Sequence, residues 1–535
     1  MVQAVQNQTT QSQANYIPRL VEPMLIDSLA RPFVTMITGA RQVGKSTLLE
    51  RLVKHAQSLV SGKLHKTGVI ETRVFYYTLD DIPLRAQLKK DITYIQKDIE
   101  LAIGTSIFSI NKKVYVFIDE IQKFLPLLDW IKQVYDRNSA NIKFVITGSS
   151  VTGFTKKLTE TLAGRIEFVH LYPLVLLELL QKRFNFKKGF WQLFFEAFAS
   201  AGMPAQAKAE KTGKSGGAGS ASKTSASAGS FDPTYMLDAL NQTQDVDVKN
   251  VTIDTFKTLY NAFRTDVRAV VGSFLESLFF GGMPKVYQLP PDQRQAILSN
   301  YINVYLEKEI GYIARNIDLE LFGLSLASFA RFNAKPINIQ EIAKQVGIAR
   351  SSIYKYLDLL EQTFLVQKLY AYPTSLKNIN RTLELAYLDT GLLNVLLNIS
   401  SPKDLTTSLY LPQILTSYLL TNLMAVSSLL GLNIKPHYLL DYDDHKIDLV
   451  FDYRNLTIGF INDPMQQMDM RKMQATVKLL TKASGQKTVL VIKPTWDVTN
   501  MSLDYNITYL EELSESEFKG KKQVYLLEAP YFYFV

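Results

Sequence analysis

The chain has 535 residues, enough for about three or four domains, and its 47% hydrophobic and 20% charged residues exclude a largely disordered or largely membrane-embedded protein. Lysine and arginine total 59 against 50 aspartates and glutamates, so the net charge of +9 is compatible with a polyanionic partner without identifying one. The absence of cysteine excludes disulfides, thiolate metal sites and cysteine nucleophiles, and with only five histidines we expect no zinc site.

The amino-terminal stretch differs in composition from the rest of the chain. Residues 1–15 are rich in glutamine and threonine and lack the basic and apolar blocks of a secretory signal. We therefore predict a frayed tail over residues 1–15 and a protein that stays in the cytoplasm.

Residues 16–180 are predicted to form an α/β domain. Short apolar runs rich in valine, isoleucine, phenylalanine and tyrosine alternate there with helix-like segments, which is the pattern of a parallel sheet covered by helices. The runs predicted as buried strands are 33–38, 74–79, 114–118 and 144–147.

One motif in this domain satisfies a complete phosphate-binding pattern. Gly39–Ser46 reads G-A-R-Q-V-G-K-S, between a predicted strand and an apolar-periodic helix. The glycines let the loop surround phosphates with its N–H groups, Lys45 reaches the β and γ phosphates, and the Ser46 hydroxyl ligates Mg²⁺. ATP and Mg²⁺ are therefore the expected cofactors. The expected nucleotide-binding residues are Gly39, Ala40, Arg41, Gln42, Val43, Gly44, Lys45, Ser46 and Thr47.

Two adjacent carboxylates end the third predicted strand. Val114–Ile118 is apolar and is followed by Asp119 and Glu120. Beside a phosphate loop, Asp119 is expected to hold Mg²⁺ through water and Glu120 to orient the attacking water, with Lys45 assisting at the phosphates. The alternative is that the pair caps the next helix, because acidic residues are favoured there.

Hydroxyl groups end the fourth predicted strand, and an arginine follows. At the carboxyl edge of a parallel sheet, Thr147 or Ser149 would sense the γ phosphate; alternatively, these hydroxyls bond their own backbone. Arg165 is a candidate arginine finger, acting in its own chain or on a neighbouring one, and otherwise a surface arginine. We name Glu120, Lys45 and Arg165 as catalytic candidates, Ser46 and Asp119 as metal ligands, and Ser149 as a nucleotide contact.

These residues resemble prokaryotic AAA-like ATPases that carry a C-terminal domain of uncharacterised function. The resemblance implies ATP binding and hydrolysis and leaves the cellular task open. It extends to about residue 495, apart from the 205–230 segment and its flanks, which look like an insertion. Its specific motifs are Tyr16–Arg19, Gly39–Ser46, Tyr76–Asp81, Ile118–Gln122, Thr147–Ser150, Leu162–Arg165 and Pro173–Glu178, with looser likeness at Gly281–Pro284 and Leu388–Leu392.

The chain turns mainly helical beyond the first domain. Residues 181–330 are predicted as a helical region that includes a flexible linker at 205–230, where no large apolar residue occurs. Further on, residues 405–434 carry no formal charge, which is long enough to span a bilayer. Polar residues recur there at Gln413, Ser417 and Thr421, so we predict a buried amphipathic helix and no membrane.

Residues 331–375 have the pattern of a winged helix. Ala343 stands where two helices would touch, Gly347 in the turn between them, and Leu365–Leu369 reads as a wing strand. The second helix, starting near residues 350–352, would present Lys355 to a DNA major groove. Winged helices also serve as purely structural modules, and this one has few cations, so DNA contact stays one of two alternatives.

Residues 376–535 are predicted as an α/β domain. Its strand candidates are 439–440, 447–452, 457–461 and 488–492. The resemblance implies a nuclease-like fold, which needs an aspartate on one strand and Glu-x-Lys on the next.

That carboxylate set is incomplete in this sequence. Asp448 is present, but Ile461 and Asp463 stand where the glutamate and lysine would be, and Thr416 stands where relatives tend to have glutamate. We therefore expect a degenerate nuclease-like domain that does not cut nucleic acid. The acidic residues Asp441, Asp443, Asp444 and Asp448 either collect a cation or form a solvated turn.

Two functions follow from the sequence. The first is an ATPase whose nucleotide state switches its C-terminal domains, in contact with DNA through the winged-helix region. The second is an ATP-dependent sensor or scaffold that binds a protein partner without touching DNA. An oligomer is compatible with both.

Overall fold

The computed structural model describes most of the chain and divides it into two compact units. The described residues are 16–61, 73–149, 154–184, 186–201, 247–305, 310–311, 317–485, 487–496, 503–510 and 523–534. The predicted tail 1–15 and linker 205–230 lie outside them. The first unit comprises Met1–Asn185, Gly272–Ala371 and Asn380–Tyr438, and the second Phe186–Val271, Tyr372–Ile379 and Leu439–Val535. These units interleave along the chain, and the predicted domains in series remain a prediction.

The first unit contains a five-stranded parallel sheet in the order β2-β3-β4-β1-β5. Its strands are β1 (Val34–Thr38), β2 (Val74–Thr78), β3 (Val114–Asp119), β4 (Ile142–Gly148) and β5 (Ile166–His170). The helices of this part are α1 (Glu22–Ser28), α2 (Lys45–Ser61), α3 (Ile82–Lys90), α4 (Tyr94–Ile103), α5 (Leu127–Asn138), α6 (Phe154–Thr161) and α7 (Leu176–Phe184).

Burial explains the central strands of this sheet. All residues of β3 and β4 are buried, as expected for strands covered by helices on both faces. One apolar cluster joins strand residues such as Val116 and Ile146 to helix residues such as Trp130 and Ile131. The predicted parallel α/β sheet is confirmed. The edge strand β5, whose residues are mostly half-exposed, was not predicted, because its apolar residues form no continuous run.

The rest of the first unit is mainly helical. Its helices are α10 (Val267–Phe280), which enters this unit at Gly272, and α11 (Pro291–Tyr305), α12 (Leu319–Arg331), α13 (Ile339–Val346), α14 (Arg350–Gln362), α15 (Thr390–Leu396), α16 (Pro402–Thr407) and α17 (Leu411–Leu429). The strands β6 (Val366–Ala371) and β7 (Glu384–Tyr387) form an antiparallel pair. The first two residues of β8 (His437–Leu440) belong to this unit, and β8 pairs with β6 in parallel at Tyr370 and His437.

The helices α13 and α14, called the helix pair below, have clear sequence signals at their ends. Asn338 caps α13 by accepting a hydrogen bond from the Glu341 N–H. Gly347 ends α13 with a φ of +77°, a conformation that glycine adopts without strain. The helix pair packs together with α12, and the predicted strand after it exists as β6.

The uncharged segment 405–434 contains the end of α16 and the whole of α17. Thr416 and Ser417 are buried, Ser417 donates to Asn333 Oδ1 at 3.1 Å, and Thr421 donates to Leu388 O at 3.0 Å. The predicted polar stripe therefore lies inside the unit. Among the described residues, no helix is both long and apolar enough to cross a membrane.

The second unit is a mixed sheet with aromatic helices. Strands β9 (Lys446–Tyr453), β10 (Leu456–Phe460), β11 (Thr488–Thr495), β12 (Asn506–Tyr509) and β13 (Val524–Pro530) lie in the order β12-β13-β11-β10-β9. Its helices are α8 (Phe190–Ala201), α9 (Val248–Phe263) and α18 (Met470–Ala483). Trp191 of α8 contacts Phe451 and Phe460, each at 5.7 Å between ring centroids, so α8 covers this sheet.

Candidate functional site

The phosphate loop lies between β1 and α2, as predicted. Gly39 has a φ of +151° and Gly44 a φ of +99°, and a side chain on Gly39 would collide with the carbonyl oxygen of Leu171. The Lys45 ammonium is buried and donates to Gly39 O at 2.9 Å and Ala40 O at 2.8 Å. It is therefore held by the loop that would surround the phosphates.

A buried ion pair between Arg19 and Glu178 contacts this loop. Arg19 donates to Val43 O and to Tyr172 O, each at 2.6 Å, and to Glu178 Oε1 at 2.9 Å. Both side chains are at most 5% exposed, and Glu178 also accepts from the backbone N–H of Leu20. Removing either partner would leave a buried charge unpaired, so the pair fixes the loop and the segment after β5 together.

The two strand-end acids lie beside β4. Asp119 is 3% exposed, accepts a hydrogen bond from Thr147 Oγ1, and lies 3.5 Å from the Tyr76 hydroxyl. Burial, together with Asp119, raises the pKa of Tyr76, which keeps its phenol protonated as a donor. Glu120 has a φ of +58°, and its N–H donates to Thr147 Oγ1 at 3.2 Å. Thr147 thus links the two acids.

Ser149 joins the same network through Gln122, which ends the Ile118–Gln122 motif but for which the sequence predicted no role. Gln122 Nε2 donates to Ser149 Oγ at 2.9 Å and also to a carboxylate oxygen of Glu120. The structure therefore brings Asp119, Glu120, Thr147 and Ser149 together at the carboxyl edge of the sheet, where the phosphate loop also lies. Ser150 lies outside the described residues.

His170, at the end of β5, is a second residue near the phosphate loop that the sequence did not indicate. Its Nδ1 lies 3.0 Å from Thr38 Oγ1, at the end of β1. Burial lowers the pKa of His170 to about 3, and the positive charge of Lys45 contributes. The ring is therefore neutral at physiological pH. Its faces contact Tyr172 and Phe364, with ring centroids 4.3 Å and 4.2 Å away.

Helical residues of the first unit lie against the other side of the loop. The Tyr301 hydroxyl donates to Arg41 O at 3.2 Å, and Pro284 Cγ lies within 3.7 Å of the position that a Cβ on Gly44 would take. The looser resemblance motifs meet here, since Asp389 accepts from the Gly282 N–H at 2.8 Å.

Arg165 is the one catalytic candidate that lies apart from this group. Its carbonyl accepts from the N–H of Val34, which begins β1, whereas the phosphate loop follows the other end of that strand. Four strand residues separate the two ends by about 13 Å. The guanidinium is paired with Asp136 at 2.5 Å. A catalytic role for Arg165 on its own nucleotide is not favoured by this position, and a role on a neighbouring chain stays a prediction.

The donors at the site fit Mg²⁺ and a nucleoside triphosphate. Mg²⁺ prefers oxygen ligands, and the Ser46 hydroxyl at the start of α2 and the buried Asp119 carboxylate at the end of β3 are the groups that would hold it. The loop N–H groups at the start of α2 and the Lys45 ammonium supply positive charge for phosphates. Bound Mg²⁺ would neutralise developing phosphate charge, and the orientation of a water by Glu120 stays a prediction.

The acidic residues of the second unit form hydrogen bonds and ion pairs with nearby residues. Asp448, on β9, accepts from the Asn462 N–H at 2.8 Å and lies 3.5 Å from Lys446 Nζ, and burial raises its pKa. Ile461 is buried and Asp463 accepts from two backbone N–H groups of its own loop. Asp441, Asp443 and His445 have ligand atoms within 4.8 Å of one another, but Asp441 is already bonded to His445.

Comparisons with known proteins match two parts of the chain, both of which lie mainly in the first unit. Residues 31–180 match an AAA domain, and residues 272–403 match a domain of unknown function (DUF8612). The first match contains the phosphate loop, both acids and Ser149. The chain thus carries an AAA-type P-loop domain followed by a domain whose function no comparison supplies.

The individual relatives add little about function. An uncharacterised protein of Haemophilus influenzae is 30% identical over 173 residues, which cover 32% of this chain and 38% of that protein. Two solved structures match more weakly. They are a variant of Thermotoga maritima RuvB (12% identity, TM-score 0.22, 65% of this chain and 86% of that one) and the Pyrococcus furiosus Hef helicase domain (10% identity, TM-score 0.19, 90% and 89%). TM-scores this low carry no functional argument.

Proposed function

We propose that the chain is a Mg²⁺-dependent ATPase whose nucleotide state moves the helix pair, which contacts DNA. The assembled phosphate loop, Lys45, Asp119 and Glu120 support the ATPase part. Thr147 Oγ1 donates to the Asp119 carboxylate and accepts from the Glu120 backbone N–H, so both acids lie at one edge of the sheet, where a metal ligand and a water-orienting carboxylate would serve phosphoryl transfer to water.

Two contacts support the coupling to the helix pair. Phe364, two residues after α14, packs on His170, whose ring is bonded to the strand that leads into the phosphate loop. On the other side, α11 carries Tyr301, which bonds the loop at Arg41 O, and Tyr305, which lies 2.7 Å from Thr363 Oγ1. A shift of the loop on nucleotide binding would therefore act on the carboxyl end of α14 from two directions.

The charge on α14 favours DNA as the partner. Its acidic residues Asp358 and Glu361 are both paired with Lys368 of β6, at 2.5 Å and 3.1 Å. The amino-terminal half of α14 is left with exposed Arg350 and Lys355, with Tyr354 between them. Cations at the start of a second helix are the usual contacts of such helices with phosphates and base edges.

One observation favours the second function, a protein partner. An open groove beside α13 and α14 is lined by Pro336, Ile337, Asn338, Ile339, Tyr354, Thr382 and Leu383. Its lining is largely apolar, which suits a peptide segment more than a phosphate backbone. Tyr354 belongs to both surfaces, so its substitution alone does not separate the two functions.

The deciding experiment measures ATP turnover by the full chain with and without duplex DNA. DNA should raise kcat in the wild type, and retention on DNA should fall steeply with salt. The Arg350→Ala, Lys355→Ala double variant should lose the stimulation and reduce the salt slope by about one or two phosphate contacts, while its turnover without DNA stays unchanged. If duplex DNA does not change the rate of ATP turnover and does not retain the protein at low salt, the protein-binding function is favoured.

The coupling is tested with a fluorescent label. Because the chain has no cysteine, Tyr354→Cys creates a unique labelling position on α14. A non-hydrolysable ATP analogue should change the emission of the dye, and ADP should change it less. The same label in a Lys45→Ala background is the control, which should show no response to either nucleotide.

A further inference from the structure

Gln122 connects the candidate catalytic carboxylate with the candidate phosphate sensor. It lies in the short 3₁₀ turn Ile121–Lys123 that follows β3. Its amide nitrogen donates to Ser149 Oγ at 2.9 Å and to the Glu120 carboxylate. Because a primary amide has two N–H groups, both donors are used, one for each neighbour.

The local structure is built to admit this side chain. Gly148 ends β4, and a Cβ there would lie 2.7 Å from Gln122 Oε1 and 3.1 Å from Met36 Cε. Glycine therefore leaves the space that the amide occupies. Gln122 Oε1 is buried and has no hydrogen-bond partner among the residues that the structure describes. A buried carbonyl oxygen without a hydrogen-bond partner costs free energy. The amide therefore suits this position because of its two N–H donors and not because of its oxygen.

The bridge fixes both of its neighbours. Ser149 Oγ accepts from Gln122, so the hydroxyl proton of Ser149 points away from Gln122, where an acceptor such as a phosphate oxygen would receive it. The second N–H holds the Glu120 carboxylate at the same time. The amide therefore sets the distance between the group that would contact the γ phosphate and the group that would orient the water.

We propose that Gln122 is a positioning residue for ATP hydrolysis. It holds the Glu120 carboxylate at a fixed position relative to the Ser149 hydroxyl, which recognises the γ phosphate. This inference rests on the proposed ATPase function. Gln122 needs no contact with substrate, since it acts through Ser149 and Glu120. In enzymes generally, a displacement of a catalytic group by about 1 Å can lower a rate by about 100-fold, so we expect a clear effect when the amide is removed.

The test uses Gln122→Leu in the full chain, because leucine keeps a similar volume and removes both donors. Its kcat should fall tenfold or more. By calorimetry, its affinity for ADP should stay that of the wild type, while its affinity for a non-hydrolysable ATP analogue should fall severalfold, as in Ser149→Ala. The double variant Gln122→Leu, Ser149→Ala should be no slower than the worse single variant, because the two residues act as one unit.

Two further variants control for folding. Gly148→Ala removes no hydrogen-bonding group but displaces the amide, so it should reproduce the loss of kcat with ADP affinity unchanged. Gln87→Leu, on the exposed side of α3, makes the same exchange away from the site and should change neither kcat nor the affinities.

The possible failures can be told apart. A Gln122→Leu variant with wild-type kcat and wild-type preference for the ATP analogue over ADP overturns the positioning role while the ATPase assignment stands. An increase of kcat in this variant also overturns it, since Gln122 would then restrain Glu120. If wild type and Lys45→Ala bind nucleotide equally, the proposed function fails and this inference fails with it.

Discussion

Lys45 is the single side chain on which nucleotide binding depends most. It is buried, and its ammonium is held by two carbonyl oxygens of the loop. Phosphate oxygens would be stronger, charged acceptors for the same group. Lys45→Ala should therefore weaken ATP binding about tenfold or more, and calorimetry with Mg²⁺ present measures this. Equal affinities of wild type and variant would contradict the assignment, and unchanged thermal unfolding shows that the variant is folded.

Glu120 should affect turnover more than binding. The phosphates are held by the loop, whereas water orientation matters in the transition state. Glu120→Gln keeps the side-chain size and should bind ATP as the wild type does, with a kcat lowered about 100-fold. Steady-state turnover beside calorimetric binding separates the two effects. An unchanged kcat would remove Glu120 from the mechanism, and leave Asp119 as the only strand-end acid with a role.

Asp389 gives the folded protein a distinctive dependence on pH. It is buried, caps α15 by accepting from the Leu392 N–H, and accepts from the Gly282 N–H. Burial raises its pKa to about 6, against about 3.9 in an unfolded chain. Between these values the folded state holds a proton that the unfolded state has lost, so stability falls as the pH rises from about 4 to about 6, by at most about 3 kcal/mol.

The comparison with Asp389→Asn isolates this effect, because asparagine does not titrate. The melting temperature of the wild type relative to the variant should be highest near pH 4 and should decrease up to about pH 6. Above that pH the difference should stay constant. A difference that grows as the pH rises through this range would contradict a raised pKa.

At the level of elements, Phe364 and Tyr301 join the nucleotide site to the helix pair. Phe364 has a φ of +57°, which a non-glycine residue adopts only when its surroundings require it, and its ring lies on His170. Phe364→Ala should leave ATP affinity unchanged but weaken the response of a label on α14 to the ATP analogue at least by half. A matched control is Tyr370→Ala, an exposed aromatic residue on β6, which should leave that response intact. A full response in Phe364→Ala would show that the coupling runs elsewhere.

At the level of the whole molecule, the second unit should have no nuclease activity. Asp448 accepts a hydrogen bond from a backbone N–H, and so does Asp463, which accepts two. The Ile461 side chain has no atom that could ligate a metal. A nuclease metal site that activates water needs carboxylate ligands both from the strand of Asp448 and from the neighbouring strand that leads to Ile461. Plasmid, linear and single-stranded DNA and RNA should stay intact with the purified protein in Mg²⁺ and in Mn²⁺. Cleavage that disappears in Asp448→Asn would contradict this, whereas cleavage that persists would come from another site or a contaminant.

The sequence alone determined the phosphate loop and the parallel sheet around it. Both depend on local chemistry: glycines and Lys45 at fixed spacing, and apolar runs that form strands wherever helices cover them. The helix pair and its turn at Gly347 were predictable for the same reason, since caps and turns are set by neighbouring residues. Strand β5 escaped prediction because an edge strand has half-exposed residues and no continuous apolar run.

Only the tertiary structure decided which distant residues act on the site. Gln122 and Ser149 are 27 residues apart, and His170 and Phe364 are 194 apart, so no periodicity or spacing relates them. The tertiary structure likewise placed Arg165 at the amino edge of the sheet. The sequence could not decide this, since a residue beside a glycine turn can lie at either edge until the direction of the strand is known. Pairing between strands and packing between helices are non-local, and they settle these contacts where a local pattern names only the participants.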